Sequence, residues 1–254
     1  MNIDSFIDLL TDSTASGKDE DLQVLASYIN KLNLWPKLLR RQQEEEILKL
    51  VPICPDWLDK QRVNFLGDNS LDSVLQSNNW SPDDLDVFLS LPEALRLFAE
   101  YQFSPGLEEL FLSADGGHDQ VIYSLLRVRD PGLAQELWIR LEEGESSFSE
   151  LASRFGEGPE SSKKGLLGPL PIGSIEPAQL RTIIRSLSVS KVSPPIQLGE
   201  WIILVRLEQL TQARFDDKMR SFLIRQELNK FLDQRVENLL QGQSVDPLQY
   251  HQSL

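Results

Sequence analysis

Hydrophobic positions in roughly the first 115 residues recur at the three- and four-residue spacing of helix faces. The clearest stripe near the start consists of Val24, Leu25, Tyr28, Ile29 and Leu32. No glycine-rich phosphate loop and no metal-ligand spacing interrupts this stretch. The pattern therefore predicts an all-helical N-terminal domain over residues 1–116, with an interaction or chaperone-like role.

Prolines and capping residues indicate where these helices begin. Pro36 and Pro55 each suit a first helical turn, where the missing N–H costs no hydrogen bond. Ser81, followed by a proline and two aspartates, is typical of an N-cap with an acidic first turn. Ser90 stands three residues before Glu93, which is the capping-box spacing and predicts that a further helix begins there.

A different pattern begins after the glycine pair at 116–117. Residues 120–128 form a β-branched and aliphatic run that predicts a strand. Caps or helix-initiating prolines then predict three helices, which begin near Asp130, Ser147 and Glu176. Strands and helices mixed within about 90 residues indicate a compact α+β module over residues 117–210.

Two further strands are predicted at residues 192–196 and 200–207, joined by a turn at Leu198-Gly199. In the second of these strands, Trp201, Ile203, Val205 and Leu207 face one way, and Ile202 and Leu204 face the other. A strand with two apolar faces lies in the centre of a sheet that is covered on both sides. We therefore expect helices on both faces of this sheet.

A wide apolar stripe over residues 215–241 predicts one long helix. The stripe is too wide for an isolated, solvated helix, so the helix must dock on another element. The N-terminal helices are the obvious acceptor, so that the 211–242 helix would complete the helical domain around an inserted module. A coiled-coil dimer is the alternative. Residues 243–254 show no periodicity and are predicted to be a flexible tail.

The composition limits the chemistry more than the fold. The chain has 254 residues, a formal net charge of −14, two histidines and one cysteine. One cysteine excludes an internal disulfide and a cysteine-based zinc site. The acidic balance argues against binding to nucleic acid phosphates or to anionic membrane surfaces. We expect no cofactor and no metal.

The location is predicted from the N-terminus and from the length of the apolar runs. Asp4 and Asp8 stand where a secretory signal needs cationic and then apolar residues. No apolar run approaches the roughly 20 residues that are needed to span a bilayer. These features predict a cytoplasmic protein without membrane insertion.

Four short segments of the middle module carry a family resemblance. Residues 148–155 resemble the pattern F-x-x-L-A-x-x-F/Y-S, and residues 156–168 resemble S-x-D/C-x-S-x-x-x-G-G-x-L-G. Residues 190–196 resemble G-E-V-S-G-P-V, and residues 198–203 resemble F-G-Y-H-I-I. In this order they are the motifs of parvulin-type (rotamase) peptidyl-prolyl cis-trans isomerases. An inserted module of this kind also resembles the SurA-type and PrsA-type bacterial foldases.

The resemblance implies a fold and a function. The module is expected to have a four-stranded antiparallel sheet with surrounding helices. It would act on Xaa-Pro bonds of proline-containing polypeptide clients. However, the two histidines and the Cys or Asp that the family places under the substrate proline fall at Ser124, Trp201 and Gly158 in this register.

The apolar proline pocket of the family is better kept than its polar centre. By the resemblance, Leu167, Ile175, Leu180 and Trp201 would line this pocket, and Ser124 could donate a weak hydrogen bond to the imide nitrogen. Such a pocket can act without proton transfer, because it needs only to weaken the imide resonance and to bind the twisted state better. The expected activity is that of an isomerase, slowed by the lost polar groups.

Other interpretations of the same residues stay open. Leu180 lies on one helical stripe with Ile183 and Ile184, so it could belong to the core alone. Trp201 could fill the volume of the missing histidines and close the pocket. The module would then be an inactive peptide-binding chaperone or adaptor. A third interpretation makes the helical domain an adaptor for a secretion or transport partner.

Overall fold

The structure is a computed structural model that describes residues 26–251. The chain divides into two compact units. One unit comprises Met1–Leu107 together with Arg220–Leu254, and the other comprises Glu108–Met219. Val24 and Leu25 of the first predicted stripe lie outside the described residues, and Ile29 from the same stripe is buried.

After a short helical segment at residues 26–31, the described part of the chain contains nine further α-helices and four strands. The helices are α1 (Trp35–Leu50), α2 (Pro55–Leu66), α3 (Leu71–Asn78), α4 (Pro82–Phe103), α5 (Leu107–Ser113), α6 (Pro131–Glu142), α7 (Phe148–Phe155), α8 (Ala178–Ser186) and α9 (Asp217–Leu240). The strands are β1 (Gln120–Val128), β2 (Leu166–Pro171), β3 (Ile196–Leu198) and β4 (Trp201–Thr211). Two 3₁₀ helices, Pro159–Lys163 and Ile172–Ser174, flank β2.

The helix starts predicted at Pro36, Pro55 and Ser81 are confirmed. Ser81 forms a reciprocal capping box with Asp84, whose backbone N–H donates to the serine hydroxyl. The helix start predicted at Ser90 is wrong, because α4 continues through this point with Pro92 inside it. Burial of Leu91, Ala94 and Phe98 stabilises the continuous helix more than the missing proline N–H weakens it.

Helix α3 was not predicted from the sequence. It has only eight residues and no buried side chain, so its hydrophobic pattern is too short to stand out. Its local signal is the cap, where the Ser70 hydroxyl accepts from the Ser73 N–H at 3.2 Å.

Long-range contacts hold α9 among the N-terminal helices. The Arg40 guanidinium donates to Asp233 and Asn229, each at 2.6 Å. The rings of Phe98 and Phe231 lie 6.0 Å apart. One face of α9 is buried, through Leu223, Ile224, Leu228, Leu232, Val236 and Leu239. The apolar stripe of α9 is therefore buried within its own unit.

Part of the predicted flexible tail makes contacts with the same unit. Val245 packs against Leu39 and its neighbours, and the Asp246 carbonyl accepts from Arg235 at 2.8 Å. The ring of Tyr250 meets that of Tyr101 edge-on at 5.1 Å. The absence of periodicity in this tail reflects irregular packing of single side chains, which a helical or strand pattern does not describe.

The second unit contains a four-stranded antiparallel sheet in the order β2-β1-β4-β3. This arrangement confirms the predicted α+β class. The strand predicted at residues 192–196 is wrong, because only Val192 makes a bridge there and β3 begins at Ile196. Pro194 and Pro195 carry no amide hydrogen and cannot extend the ladder.

Both faces of the sheet are covered by apolar side chains, as predicted. One face forms the α8 core, which consists of Val121, Tyr123, Leu125, Ile172, Ile175, Leu180, Ile184, Ile203, Val205 and Leu207. The other face forms the α6–α7 core, which consists of Leu126, Val128, Ala134, Leu137, Phe148, Leu151, Ala152, Ile202 and Leu204. Successive residues of β1 and β4 thus alternate between two cores. No helix in the described part of the chain is long and apolar enough to cross a membrane.

Truncation of a central β1 side chain tests this arrangement. Leu126 has no exposed surface, so Leu126→Ala is expected to destabilise the second unit by about 2–5 kcal/mol, through lost burial and a cavity. Urea denaturation measures the free energy of unfolding, and hydrogen exchange of the β1 and β4 amides shows whether the loss lies in the second unit. Leu210→Ala, at a 43% exposed position of β4, is the matched control and should change the stability by less than about 1 kcal/mol.

Candidate functional site

The four apolar residues proposed to line the pocket all lie on the α8 side of the sheet. Ile175 and Leu180 are members of the α8 core, and Leu167 and Trp201 pack against it. Ile175 and Leu180 expose only 3% and 4% of their surface, so they form the floor of this site. Leu167 and Trp201 are half-buried, so they offer the accessible apolar surface.

Local structure explains how these residues are positioned. Leu167 lies on β2 opposite Tyr123 of β1. Ile175 directly follows the short 3₁₀ helix Ile172–Ser174, and its N–H donates to the Ile172 carbonyl at 3.2 Å. The guanidinium of Arg181 in α8 donates to the Gly173 carbonyl at 3.0 Å. This bond ties the helix to the loop that carries Ile175.

Trp201, at the start of β4, has cations over its ring. The guanidinium carbon of Arg129 lies 4.3 Å from a ring centroid of Trp201, and that of Arg127 lies 5.9 Å away. Arg129 also forms ion pairs with Glu157 at 3.7 Å and Glu200 at 3.6 Å. The indole is thus held between the α8 core and a charged rim.

A buried ion pair occupies the place of the family's Cys or Asp. The Nε of Arg127 donates to Glu160 at 2.7 Å, and the two side chains expose 28% and 3% of their surface. A Cβ atom built on Gly158 would lie 2.3 Å from the Glu160 carboxylate and 2.5 Å from the Arg127 Nε. Any side chain at position 158 would therefore have to displace this pair.

Sequence reasoning did not find the Arg127–Glu160 pair. The two residues are 33 positions apart, and pairing between them depends on where the 3₁₀ helix Pro159–Lys163 lies against β1. The available signal was a glutamate at position 160, where the resembling loop motif has a serine. A buried carboxylate needs a cationic partner, but the sequence shows neither that Glu160 is buried nor which arginine would pair with it.

Tyr123 lies on the same face of β1 as Arg127. The charges of Arg127 and Glu160 both act on its phenol. Burial raises the pKa of the Tyr123 phenol, the negative charge of Glu160 raises it further, and Arg127 partly opposes this. A phenol normally titrates near pH 10. Tyr123 therefore stays neutral at physiological pH.

Ser124 does not join these residues. Its hydroxyl donates to the Glu208 carboxylate, which also accepts from Arg206 at 2.8 Å. The Arg206 guanidinium lies over the ring of Phe148, in the α6–α7 core, at 5.3 Å. Because neighbouring residues of a strand point to opposite faces, Ser124 lies across the sheet from Tyr123, Leu125 and the apolar floor. From there its hydroxyl cannot reach a proline bound over the α8 core.

The site can therefore bind an apolar ring and donate hydrogen bonds, but it has no histidine or thiol. Cys54 lies in the other unit, His118 precedes β1 at the opposite end from Arg127, and His251 lies near Tyr101. Among the described residues, no group of three or more His, Cys, Asp or Glu side chains could hold a metal ion.

The solved structures to which the chain is similar include two PrsA proteins and a SurA-like chaperone. It is 19% identical to PrsA of Bacillus anthracis, covering 83% of this chain and 99% of that one, with a TM-score of 0.46. PrsA of Bacillus cereus is also 19% identical, covering 92% and 90%, with a TM-score of 0.46. One of two SurA-like chaperones of Campylobacter jejuni is 15% identical, covering 95% and 92%, with a TM-score of 0.35.

The family match lies within the second unit, after β1. No curated protein matches the chain. Residues 132–209 match the family model of the PPIC-type PPIase domain, also called Rotamase. This range begins in α6 and ends in β4, and it contains all four residues of the apolar site together with Gly158 and Glu160. Residues 132–209 are therefore a domain of the PPIC-type peptidyl-prolyl cis-trans isomerase family.

Proposed function

We propose that the second unit binds Xaa-Pro segments of polypeptides and catalyses their cis-trans isomerisation. The observation that carries this proposal is that the family match over residues 132–209 coincides with an apolar floor. Leu167 exposes part of its side chain beside this floor, where a proline ring would lie, and Trp201 exposes part of its ring farther along β4. Ile175 and Leu180 support this surface from below.

The physics of the reaction suits such a site. Rotation about a peptide bond has a barrier of about 18–20 kcal/mol, whereas the cis and trans forms of Xaa-Pro differ by only about 0.5–1 kcal/mol. The reaction makes and breaks no covalent bond. A site accelerates it by holding the proline ring, removing water from the imide and binding the twisted state better than either planar form.

A second candidate function is peptide binding without catalysis. The buried Arg127–Glu160 pair favours it, because these side chains fill the space in which the family places a Cys or Asp. In that case Trp201 and Leu167 would still bind proline segments. The helical unit would then be the more important surface, for clients or for a secretion or transport partner.

Exchange spectroscopy distinguishes these two functions. With catalytic amounts of the protein, we expect faster cis-trans exchange in a panel of Xaa-Pro peptides. Uncatalysed exchange takes roughly 10–100 s, so NMR detects even a weak catalyst. Peptide chemical-shift changes without faster exchange would favour the non-catalytic function. No effect of a correctly folded protein on any peptide would reject both.

Adjacent residues of β2 provide a matched pair of variants. Leu167 packs against the α8 core, whereas the neighbouring Leu166 is 50% exposed. Leu167→Asp is expected to weaken peptide binding by about 1.5–3 kcal/mol, because it replaces apolar contact surface by a charge. Leu166→Asp should leave binding unchanged. Isothermal titration with one proline peptide measures both variants, and equal losses in the two would contradict the proposed site.

A further inference from the structure

Arg127 stands at the position where a polar group could act on a bound imide. It lies on β1 two residues after Leu125, and therefore on the sheet face of the α8 core. Its guanidinium is near Trp201 and is partly exposed, at 28% of the side-chain surface. The bond to Glu160 uses the Nε hydrogen, and the far terminal amino group of the fork lies on the other edge of the guanidinium.

We propose that Arg127 is the hydrogen-bond donor to the imide nitrogen of the bound Xaa-Pro bond, and that Glu160 is its positioning residue. This inference rests on the proposed isomerase function. In the planar imide the nitrogen lone pair is delocalised and accepts poorly. It becomes an acceptor as the bond twists and the nitrogen pyramidalises. A donor fixed at that point binds the twisted state selectively, which lowers the barrier.

Three features of the site fit this role. Glu160 is almost fully buried on the 3₁₀ helix Pro159–Lys163, so it anchors the guanidinium on a rigid element. Gly158 supplies no Cβ and leaves room for the pair. The Trp201 ring covers one side of the guanidinium and offers the apolar surface for the proline. Donor and apolar surface are therefore adjacent.

The proposed donor is a guanidinium, and this sets the expected response of the reaction to pH. A guanidinium keeps its proton throughout the working range. Several titratable or charged groups surround it from β1, from the segment after α7 and from the β3–β4 turn: Tyr123, Arg129, Glu157, Glu160 and Glu200. Burial raises the phenol pKa of Tyr123, so this group stays neutral at physiological pH.

A double substitution that preserves packing isolates the guanidinium. Arg127→Gln alone leaves the buried Glu160 without a counter-ion and could unfold the unit. Arg127→Gln with Glu160→Gln keeps a hydrogen-bonded pair and removes both charges. We expect this variant to lose about 10- to 100-fold of the catalysed exchange rate. Peptide affinity should stay within about threefold of the wild type, because the lost bond exists only in the twisted state.

The opposite face of the sheet provides a matched control. Arg206 on β4 donates to Glu208 at 2.8 Å and exposes 31% of its side chain, much as Arg127 does with Glu160. Arg206→Gln with Glu208→Gln removes an equivalent ion pair from the α6–α7 side. We expect it to retain the full exchange rate, with both double variants showing cooperative unfolding and the wild-type circular dichroism spectrum.

The outcomes separate this inference from the function on which it rests. Wild-type catalysis that survives in the Arg127/Glu160 variant overturns the role of Arg127 alone. A wild-type protein that binds peptides but never accelerates exchange overturns the isomerase function and the donor role together. Equal losses in the two double variants would show a structural effect and would also reject the donor role.

The pH profile gives a second, independent readout. With Arg127 as donor, the catalysed exchange rate should vary by less than about twofold between roughly pH 6 and 9. A donor or acceptor with the ordinary pKa of a histidine or a thiol would give a step of tenfold or more in this range. NMR exchange measured at several pH values with one peptide decides between them, and a clear step would contradict the proposal.

Discussion

The second unit depends on the pairing of β1 with β4, two neighbouring strands that are apolar on both faces. The buried apolar residues of these strands are divided between two cores, so the register of the pair decides what each core contains. A slip by one residue would move the side chains of each core to the other face of the sheet. It would also place the Arg127 and Arg206 guanidiniums each on the face opposite to its present one. The positions of Arg127 and of Trp201 on the α8 side follow from this register.

The polar centre illustrates how a fold can keep its apolar floor while its polar groups change. A buried ion pair gains little net stability, because desolvation offsets most of the attraction between the charges. The Arg127–Glu160 pair is tolerated since Gly158 gives it space and since the arginine stays partly solvated. Removal of either partner alone is more harmful than removal of both, because it leaves an uncompensated charge. The pair therefore behaves as one unit in substitution.

Much of the secondary structure follows from local signals, because caps and prolines act within a single turn. Ser81, Ser147 and Asp130 each cap the helix that the sequence predicts there. Ser90 carries the same signal without effect, since burial of the surrounding helix decides its conformation. The apolar floor is predictable from family motifs. The Arg127–Glu160 pair is not, because it depends on a tertiary contact that no local pattern encodes.

The two edges of the sheet have a consequence for a protein that handles extended chains. The edge strand β2 contains Pro169 and Pro171, and the other edge strand, β3, has only three residues and follows Pro194 and Pro195. Prolines and short strands leave few unpaired N–H groups for an added strand. An unfolded polypeptide therefore cannot readily extend this sheet by β-augmentation. Under the proposed function, peptide recognition falls to side chains on the α8 core face, and both edges of the sheet are protected against edge-to-edge pairing.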